Sequence, residues 1–543
     1  MNGALPSPES PAASRSSRSP GWRVTVLAAV CGLLAVGTGV LAGEFLSTWL
    51  SPSLTPLNAV GGMVIDAVPA PVKEWAIASF GTSDKTVFGI LMRVIAGLLA
   101  ALAGVLELRR RRVGVVLVAA VGVVAAWAGA VRPDGGAVPA VLGLLSGVVA
   151  GVVLSLLITR LGDWSRSGSR TDPAHGSEGD GADPTSSRRR FLGAVAASAV
   201  GVAVLAAGTA VARGARNGYQ TARAALKLPA PAKAAPPAPA DLPVPGISPW
   251  ATPNGEFYRI DTALVVPFVD PATWTLKVTG LVEREVTLSF DELLAKPLRE
   301  LDVTLACVSN EVGGDLVGNA RWLGWPVREL LAQAGVRPGA DMVLSTSVDG
   351  FTASTPLEAL SDGRGALLAI GMNGQPLPPE HGFPVRLVVP GLYGYVSATK
   401  WVTELKVTTF AQDMAYWTSR GWSDHGPIKR SSRIDTPRQG ATVPRDGVIG
   451  GVAWAQGVGV ASVDVRLDDG AWQPAGLGGD GGTDSWRQWS LPLAALTGGA
   501  PAGGEHRLTV RMTGRDGRPQ STDLAPPAPN GSSGLHTITF RAG

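Results

Sequence analysis

Cysteine is almost absent from this chain, with only Cys31 and Cys307 among 543 residues. Cys31 sits in an apolar run and Cys307 in the polar half beyond it, so the two cannot pair across a membrane boundary. A disulfide framework and a zinc-type cysteine cluster are both excluded. Charge is scarce too: 17% charged residues against 45% hydrophobic is too apolar for an ordinary soluble protein, so part of the chain must lie in a membrane. The formal net charge is only +4, and the arginines flank apolar runs, which marks membrane topology and argues against nucleic acid as a partner. None of the five histidines (His175, His381, His425, His506, His536) falls in an apolar run, and no Cys-x-x-Cys-His occurs. Intramembrane bis-histidine haem and covalently attached haem are therefore excluded.

What is present divides into a membrane half rich in Ala, Val, Leu and Gly and a half that holds most of the Trp and Tyr. Residues 1–22 read as a disordered cytoplasmic tail that brings Arg15, Arg18 and Arg23 up to the bilayer. Residues 23–160 hold four runs of spanning length (Val24–Gly43, Val87–Leu106, Val113–Val131, Val138–Ile158), each near the ~20 residues a bilayer core requires. The stretch Ser51–Lys85, interrupted by Asp66, Lys73, Glu74 and prolines, reads as an interfacial or re-entrant element. Arg109–Arg112 place the loop after the second run in the cytoplasm. A polar cytoplasmic linker (161–187) leads to Arg188, Arg189, Arg190, Phe191 and Leu192. Those residues look like a twin-arginine export signal joined to a fifth span (188–212), the alternative being an ordinary fifth span flanked by cytoplasmic arginines; either leaves the rest of the chain outside the cytoplasmic membrane. Arg213, Arg216, Arg223 and Lys227 on the outer flank oppose that orientation but are outweighed upstream.

Residues 213–246 contain a Pro/Ala-rich spacer, expected to hold the globular half off the bilayer. Residues 247–430 mix strand-like pieces (Trp274–Gly280, Leu301–Ala306, Asp341–Thr346, Val385–Val389, Val402–Thr409) with short helices (Phe290–Lys296, Val327–Ala334, Leu357–Leu360), an α+β pattern. Residues 431–543 alternate as strands only (Ser462–Leu467, Arg507–Met512, His536–Phe540) and predict a small immunoglobulin-like β-sandwich. The focus is Cys307, expected at a strand end, with a polar, glycine-rich loop after it and a helix opened by Trp325-Pro326. A thiolate there can be a nucleophile, a redox sensor or a ligand to a soft metal, and a lone cysteine can equally be a small buried hydrophobe.

Three stretches stand in one order: TPNGEFYRID (Thr252–Asp261), TLACVSNE around Cys307, and HGFPVRLVVPGLYGYVSATKW (His381–Trp401). On these the globular half resembles the sulfite oxidase family of molybdenum enzymes, a molybdopterin domain followed by an immunoglobulin-like domain of dimerisation type. The resemblance implies that Cys307 ligates molybdenum and that His381, Arg386 and Lys400 contact the pterin, a guanidinium fork and an ammonium suiting a terminal phosphate. Asn254 and Tyr258 look like cofactor contacts of the bacterial sulfoxide-reductase branch.

Two departures matter. Where sulfite oxidases carry substrate-facing arginines after the cysteine, this chain has Glu311 and Val312, and Phe351 in DGFTAS replaces the family's active-site tyrosine. Sulfite is therefore doubtful as substrate; Glu311 is a candidate proton relay and Arg321 a candidate replacement cation. The resulting expectation is a membrane-anchored molybdopterin oxidoreductase performing two-electron oxygen-atom transfer on a small molecule. Electrons would pass to a separate carrier, a c-type cytochrome or a haem-bearing membrane protein, and the C-terminal domain is a candidate homodimer contact. The alternatives are an S-oxide or N-oxide reductase of the same fold and a cofactor-free binding module.

Overall fold

The computed structural model describes residues 21–51, 54–69, 72, 75–76, 79–80, 84–132, 135–168, 184–215, 223–263, 265–444, 446–496 and 503–543. The tail carrying Arg15 and Arg18, Lys73, Glu74, the middle of the 161–187 linker with His175, and Arg216 lie outside the described residues. Among the described residues the chain opens with helices α1 (Trp22–Leu50), α2 (Pro56–Ala67), α3 (Asp84–Arg109), α4 (Val113–Val131), α5 (Ala137–Gly168) and α6 (Pro184–Ala215). Among the described residues five of them, all but α2, are long and apolar enough to cross a membrane. Small residues let them pack closely, as expected where no hydrophobic effect drives helices together. A Cβ on Gly32 of α1 would lie 2.0 Å from the carbonyl oxygen of Ala100 in α3. The buried Glu107 closes α3 onto α4 by accepting from the backbone N–H groups of Arg112 and Val115 at 2.9 and 3.1 Å.

Helix α2 has 12 residues, about 18 Å of rise, too short to span. Its N-terminus is capped by Thr55, whose side chain accepts from Asn58 N–H. In the last turn of α2, Asp66 pairs with Arg132 just beyond α4 (3.3 Å).

The globular half begins earlier than its composition indicates. The Pro/Ala run does not stand free as a spacer. Ala232 N–H donates to Leu298 O (2.8 Å), Glu300 N–H to Lys233 O (2.9 Å), and Leu242 N–H to the Gln488 side chain (2.9 Å). Prolines remove donors from this run, but the N–H and C=O groups between them suffice to fasten it to a sheet edge. Ten strands follow: β1 (Thr275–Gly280), β2 (Val286–Ser289), β3 (Arg299–Ala306), β4 (Val317–Pro326), β5 (Met342–Ser347), β6 (Thr352–Pro356), β7 (Leu367–Met372), β8 (Gln375–Pro376), β9 (Arg386–Val388) and β10 (Val402–Thr408). One sheet has the order β2-β1-β10-β5-β6, with β1 and β10 parallel; the other runs β3-β4-β7-β8, with β9 also on β7. The helix Val327–Ala334 forms as expected. The expected loop between Cys307 and that helix is shorter than its composition suggests, because Val317–Pro326 is strand β4, held between β3 and β7 despite its glycines. Tertiary pairing overrides weak strand propensity there.

The C-terminal part is a sandwich of two sheets around one core. Ser431–Thr436, Val448–Trp454, Arg487–Pro492 and Gly476–Leu477 make one sheet; Thr442–Val443, His536–Ala542, Gly504–Gly514, Val460–Leu467 and Gln473–Pro474 make the other. Trp489 and Ile449 of the first pack with Val465, Leu508 and Phe540 of the second. The sandwich docks on the strand that ends at Cys307. Trp486 N–H donates to Thr304 Oγ1 (2.7 Å), and Thr304 N–H donates to Asp484 O (2.9 Å).

Candidate active site

Cys307 is the first residue beyond β3, where a hairpin whose ladder ends at Ala306 opposite Val317 opens into a loop. Cys307 N–H still donates to Leu316 O (2.9 Å), and Asn310 Oδ1 accepts from Leu316 N–H (2.9 Å), so the loop is closed at its base. The C-terminal sandwich clamps it from outside: Ser532 Oγ donates to Asn310 O (2.6 Å) and Arg433 to Gly314 O (2.8 Å). The sulfur is 9% exposed and lies in a cavity of about 420 Å³. Burial pushes the thiol pKa up, while the N–H of Ser309, its side chain and the N–H of Val308 oppose that by donating toward sulfur.

The same cavity is lined by Tyr258, Phe351, His381, Arg386 and Lys400. His381, in the turn Pro379–His381, faces the carbonyl oxygen of Asn254 through Nε2 at 3.0 Å. Burial, then the Arg386 and Lys400 charges, lower its pKa to about 3, so it is a neutral imidazole. Arg386 opens β9, is 5% exposed and has a pKa lowered to about 10 by burial. Among the described residues its hydrogen bonds go to main-chain carbonyls alone, those of Leu387, His381 and Ala398, and its guanidinium lies over Trp322 (5.0 Å). Lys400 donates to Asp261 Oδ2 at 2.5 Å and to Glu380 O at 3.1 Å; burial lowers its pKa to about 8 against the pull of Asp261. Asp261 also takes Arg259 Nε at 2.9 Å.

Three expected site residues stand elsewhere. Asn254 does not line the cavity and acts from behind: its side chain bonds Asn373 (2.8 Å) and Met372 O (3.3 Å), and its carbonyl faces His381. Glu311 is solvent-exposed on the loop, so a carboxylate facing substrate is not what the fold provides. Arg321 forms a fork with Asp302 on the neighbouring strand (2.8 and 2.9 Å) and also donates to Pro236 O, so it supplies no cation to the cavity. Sequence reasoning missed Asp261, the last letter of TPNGEFYRID, whose signal was its place in that motif. It also missed Tyr416, Trp417 and Trp422, which line the cavity, and whose clustering in a chain with only 6% aromatics was the available signal.

Part of the cavity wall comes from the helical half. Ile65 of α2, Val68 after it, Trp75, and Phe88, Leu91 and Ile95 of α3 face the same space as Cys307. The globular half is thus seated on the helices, with Tyr416 Oη donating to Asp66 Oδ1 at 3.0 Å.

Residues 263–417 match the model of the oxidoreductase molybdopterin binding domain. The chain is similar to mitochondrial sulfite oxidase of Rattus norvegicus, 34% identical over 290 residues, covering 45% of this chain and 53% of that protein. It is similar to sulfite oxidase of Gallus gallus, 30% identical over 324 residues, covering 51% of this chain and 69% of that protein. A further likeness, of 25% identity and TM-score 0.46, is to the sulfane dehydrogenase SoxCD from Paracoccus pantotrophus, covering 54% of this chain and 83% of that one. The chain spans about half the length of the mitochondrial relatives. The residues present fit a molybdenum-molybdopterin group: a soft sulfur at one wall, a neutral imidazole, and in Arg386 a desolvated cation whose partners are carbonyls rather than a carboxylate, which suits an anionic moiety from outside the protein. On these grounds the chain belongs to the sulfite oxidase family of molybdopterin-dependent oxidoreductases.

Proposed function

We propose that this chain is a membrane-anchored oxidoreductase that carries out two-electron oxygen-atom transfer on a small neutral molecule outside the cytoplasmic membrane. The observation that carries the reading is that the Cys307 sulfur and the buried Arg386 share one cavity. Cys307 would hold molybdenum; His381, Arg386, Lys400 and Tyr258 would hold the pterin, with Asn254 fixing the His381 ring from behind. When bound, the cofactor supplies the two-electron change and the site of oxygen transfer. The chain's own work is to keep His381 neutral, to lend a desolvated positive charge through Arg386, and to narrow the cavity with Phe351 and Tyr416. Lys400 donates to Asp261, and Arg386 would be taken up by the pterin, so among the described cavity-lining residues neither is left to face a dianion such as sulfite. The same apolar lining favours reduction of a neutral S-oxide or N-oxide as the second reading.

The topology is supported by α3, which carries arginines 109–112 just beyond its end and lines the cavity near its start. From the lining residues Phe88 and Ile95 to Arg109 the rise is about 32 and 21 Å, comparable to the ~30 Å of a bilayer core, so cytoplasmic arginines put the catalytic half on the outer side. Arg188–Arg190 lie in the first turns of α6, as an export signal joined to a span would. The two-sheet C-terminal sandwich would be of immunoglobulin type and a homodimer contact. The test is metal analysis: protein purified from a cofactor-competent host should contain stoichiometric molybdenum and an organic pterin. Absence of both would refute the enzyme reading.

A further inference from the structure

Leu91 and Ile95 line the cavity that reaches Cys307, yet they are 53% and 43% exposed, and they belong to a helix apolar enough to span a membrane. They adjoin the exposed apolar face that Ile90, Val94 and Leu98 form on the same helix, so the cavity meets that face at its edge. Trp75, Phe88, Tyr416, Trp417 and Trp422 supply flat aromatic faces along the same wall. The polar group there is the Tyr416 hydroxyl, bonded to Asp66, which in turn pairs with Arg132. Among the described residues no cluster of metal-binding side chains offers an onward relay for electrons, and the chain has no haem-attachment motif.

We infer that the electron-exchange partner of this site is a lipid-soluble quinone that enters the cavity sideways from the bilayer past Leu91 and Ile95 of α3. The inference rests on the oxidoreductase reading above. A quinone fits the three features together: a planar ring for the aromatic wall, a quinol hydroxyl that can donate to the Tyr416 oxygen, whose own proton is held by Asp66, and an apolar tail for the exposed apolar face. It also matches a centre that changes by two electrons. The overall reaction balances as substrate plus water plus quinone giving oxygenated substrate plus quinol, or the same equation reversed for an S-oxide or N-oxide. Two electrons and two protons are exchanged with the ring in either direction.

The full-length protein in phosphatidylcholine nanodiscs is photolabelled with an azidoquinone, and decylubiquinone serves as competitor. Labelling should concentrate in peptides covering 64–95 and 416–422 and be suppressed by the competitor. Ile65→Phe with Leu91→Phe, which fills the lobe, should weaken competition by about tenfold or more. Should the filled variant not fold, Ile95→Phe alone, at a cavity-lining position that is 43% exposed, should also weaken it. Label that is not competed, that lies along other helices, or that survives both variants undiminished would overturn the inference. So would competition by dodecyl methyl sulfoxide but not by decylubiquinone, which would assign the opening to a lipid-soluble substrate. Molybdenum content measured on the same preparation keeps the two readings apart, since metal present without competed labelling sinks the quinone alone.

Discussion

Tyr416 of the catalytic half donates its hydroxyl to Asp66 in the last turn of α2 at 3.0 Å, joining residues 350 positions apart in the chain. Burial first, then the Asp66 charge, raise the phenol's pKa, so the hydroxyl stays a donor. Arg420 lies over the same ring at 3.6 Å, and Asp66 holds Arg132. This small network seats the catalytic domain on the membrane helices.

Tyr416→Phe should therefore loosen the seat, losing a hydrogen bond to a charged group, about 1.5–3 kcal/mol. Combined with Asp66→Asn the losses should be less than additive, because both remove one interaction. Maleimide alkylation of Cys307 in cofactor-free protein provides the readout: it should quicken in each variant, and an unchanged rate would mean the contact does not close the cavity.

Cys307→Ser should leave the chain folded, since the thiol donates nothing to the β3–β4 hairpin that its backbone holds. Thermal stability of the cofactor-free protein should shift by less than ~1 kcal/mol, while retained molybdenum falls to background. Wild-type metal content in this variant would remove Cys307 from the ligand role.

Arg386 and Asp261 should behave oppositely in the cofactor-free chain. Arg386→Met removes a buried charge that no carboxylate compensates, so stability should hold or rise while pterin retention is lost. Asp261→Asn strips Lys400 and Arg259 of their shared partner and should cost about 3–5 kcal/mol. Thermal unfolding of both variants, with pterin fluorescence of the as-purified protein, checks the contrast.

His536 should make the docked sandwich acid-sensitive. Its Nδ1 accepts from Ile434 N–H (3.0 Å), and a Cβ on Gly313 of the Cys307 loop, at φ +82°, would lie 2.3 Å from the ring. Burial, reinforced by Arg433, lowers its pKa to about 4. Between its unfolded value near ~6.5 and that folded value the unfolded chain binds more protons, so stability falls as pH drops, by roughly 2–3 kcal/mol in total. His536→Gln should flatten that pH slope in thermal unfolding scans; an identical slope would place the acid sensitivity elsewhere.

Glu311→Gln should change steady-state rates less than about twofold, in keeping with an exposed surface substitution. Assay with an artificial electron acceptor, with sulfite and a dialkyl sulfoxide as trial substrates, tests this. A large loss would bring the Cys307 loop's carboxylate back into the chemistry.

Local pattern carried much of this protein. The spans follow from apolar runs of bilayer length, Cys307 at a strand end from the run Leu301–Ala306, and the helix Val327–Ala334 from its apolar spacing, because each depends on neighbours within a few residues. His381, Arg386 and Lys400 were legible because one motif holds them within 20 residues. Tertiary structure alone decided the rest. The register of β3 with β4 pairs Asp302 with Arg321 and so commits that arginine away from the cavity. The Pro/Ala run lies against the β3 edge because Leu298 and Glu300 present free backbone groups there, and β4 is a strand because β3 and β7 pair with it from both sides. Above all, residues of α2 and α3 wall the cavity because Asp66 and Tyr416 meet across 350 residues. Contacts of that separation leave no periodicity in sequence, since what sets them is the shape and charge of folded surfaces rather than the conformational preference of a local stretch.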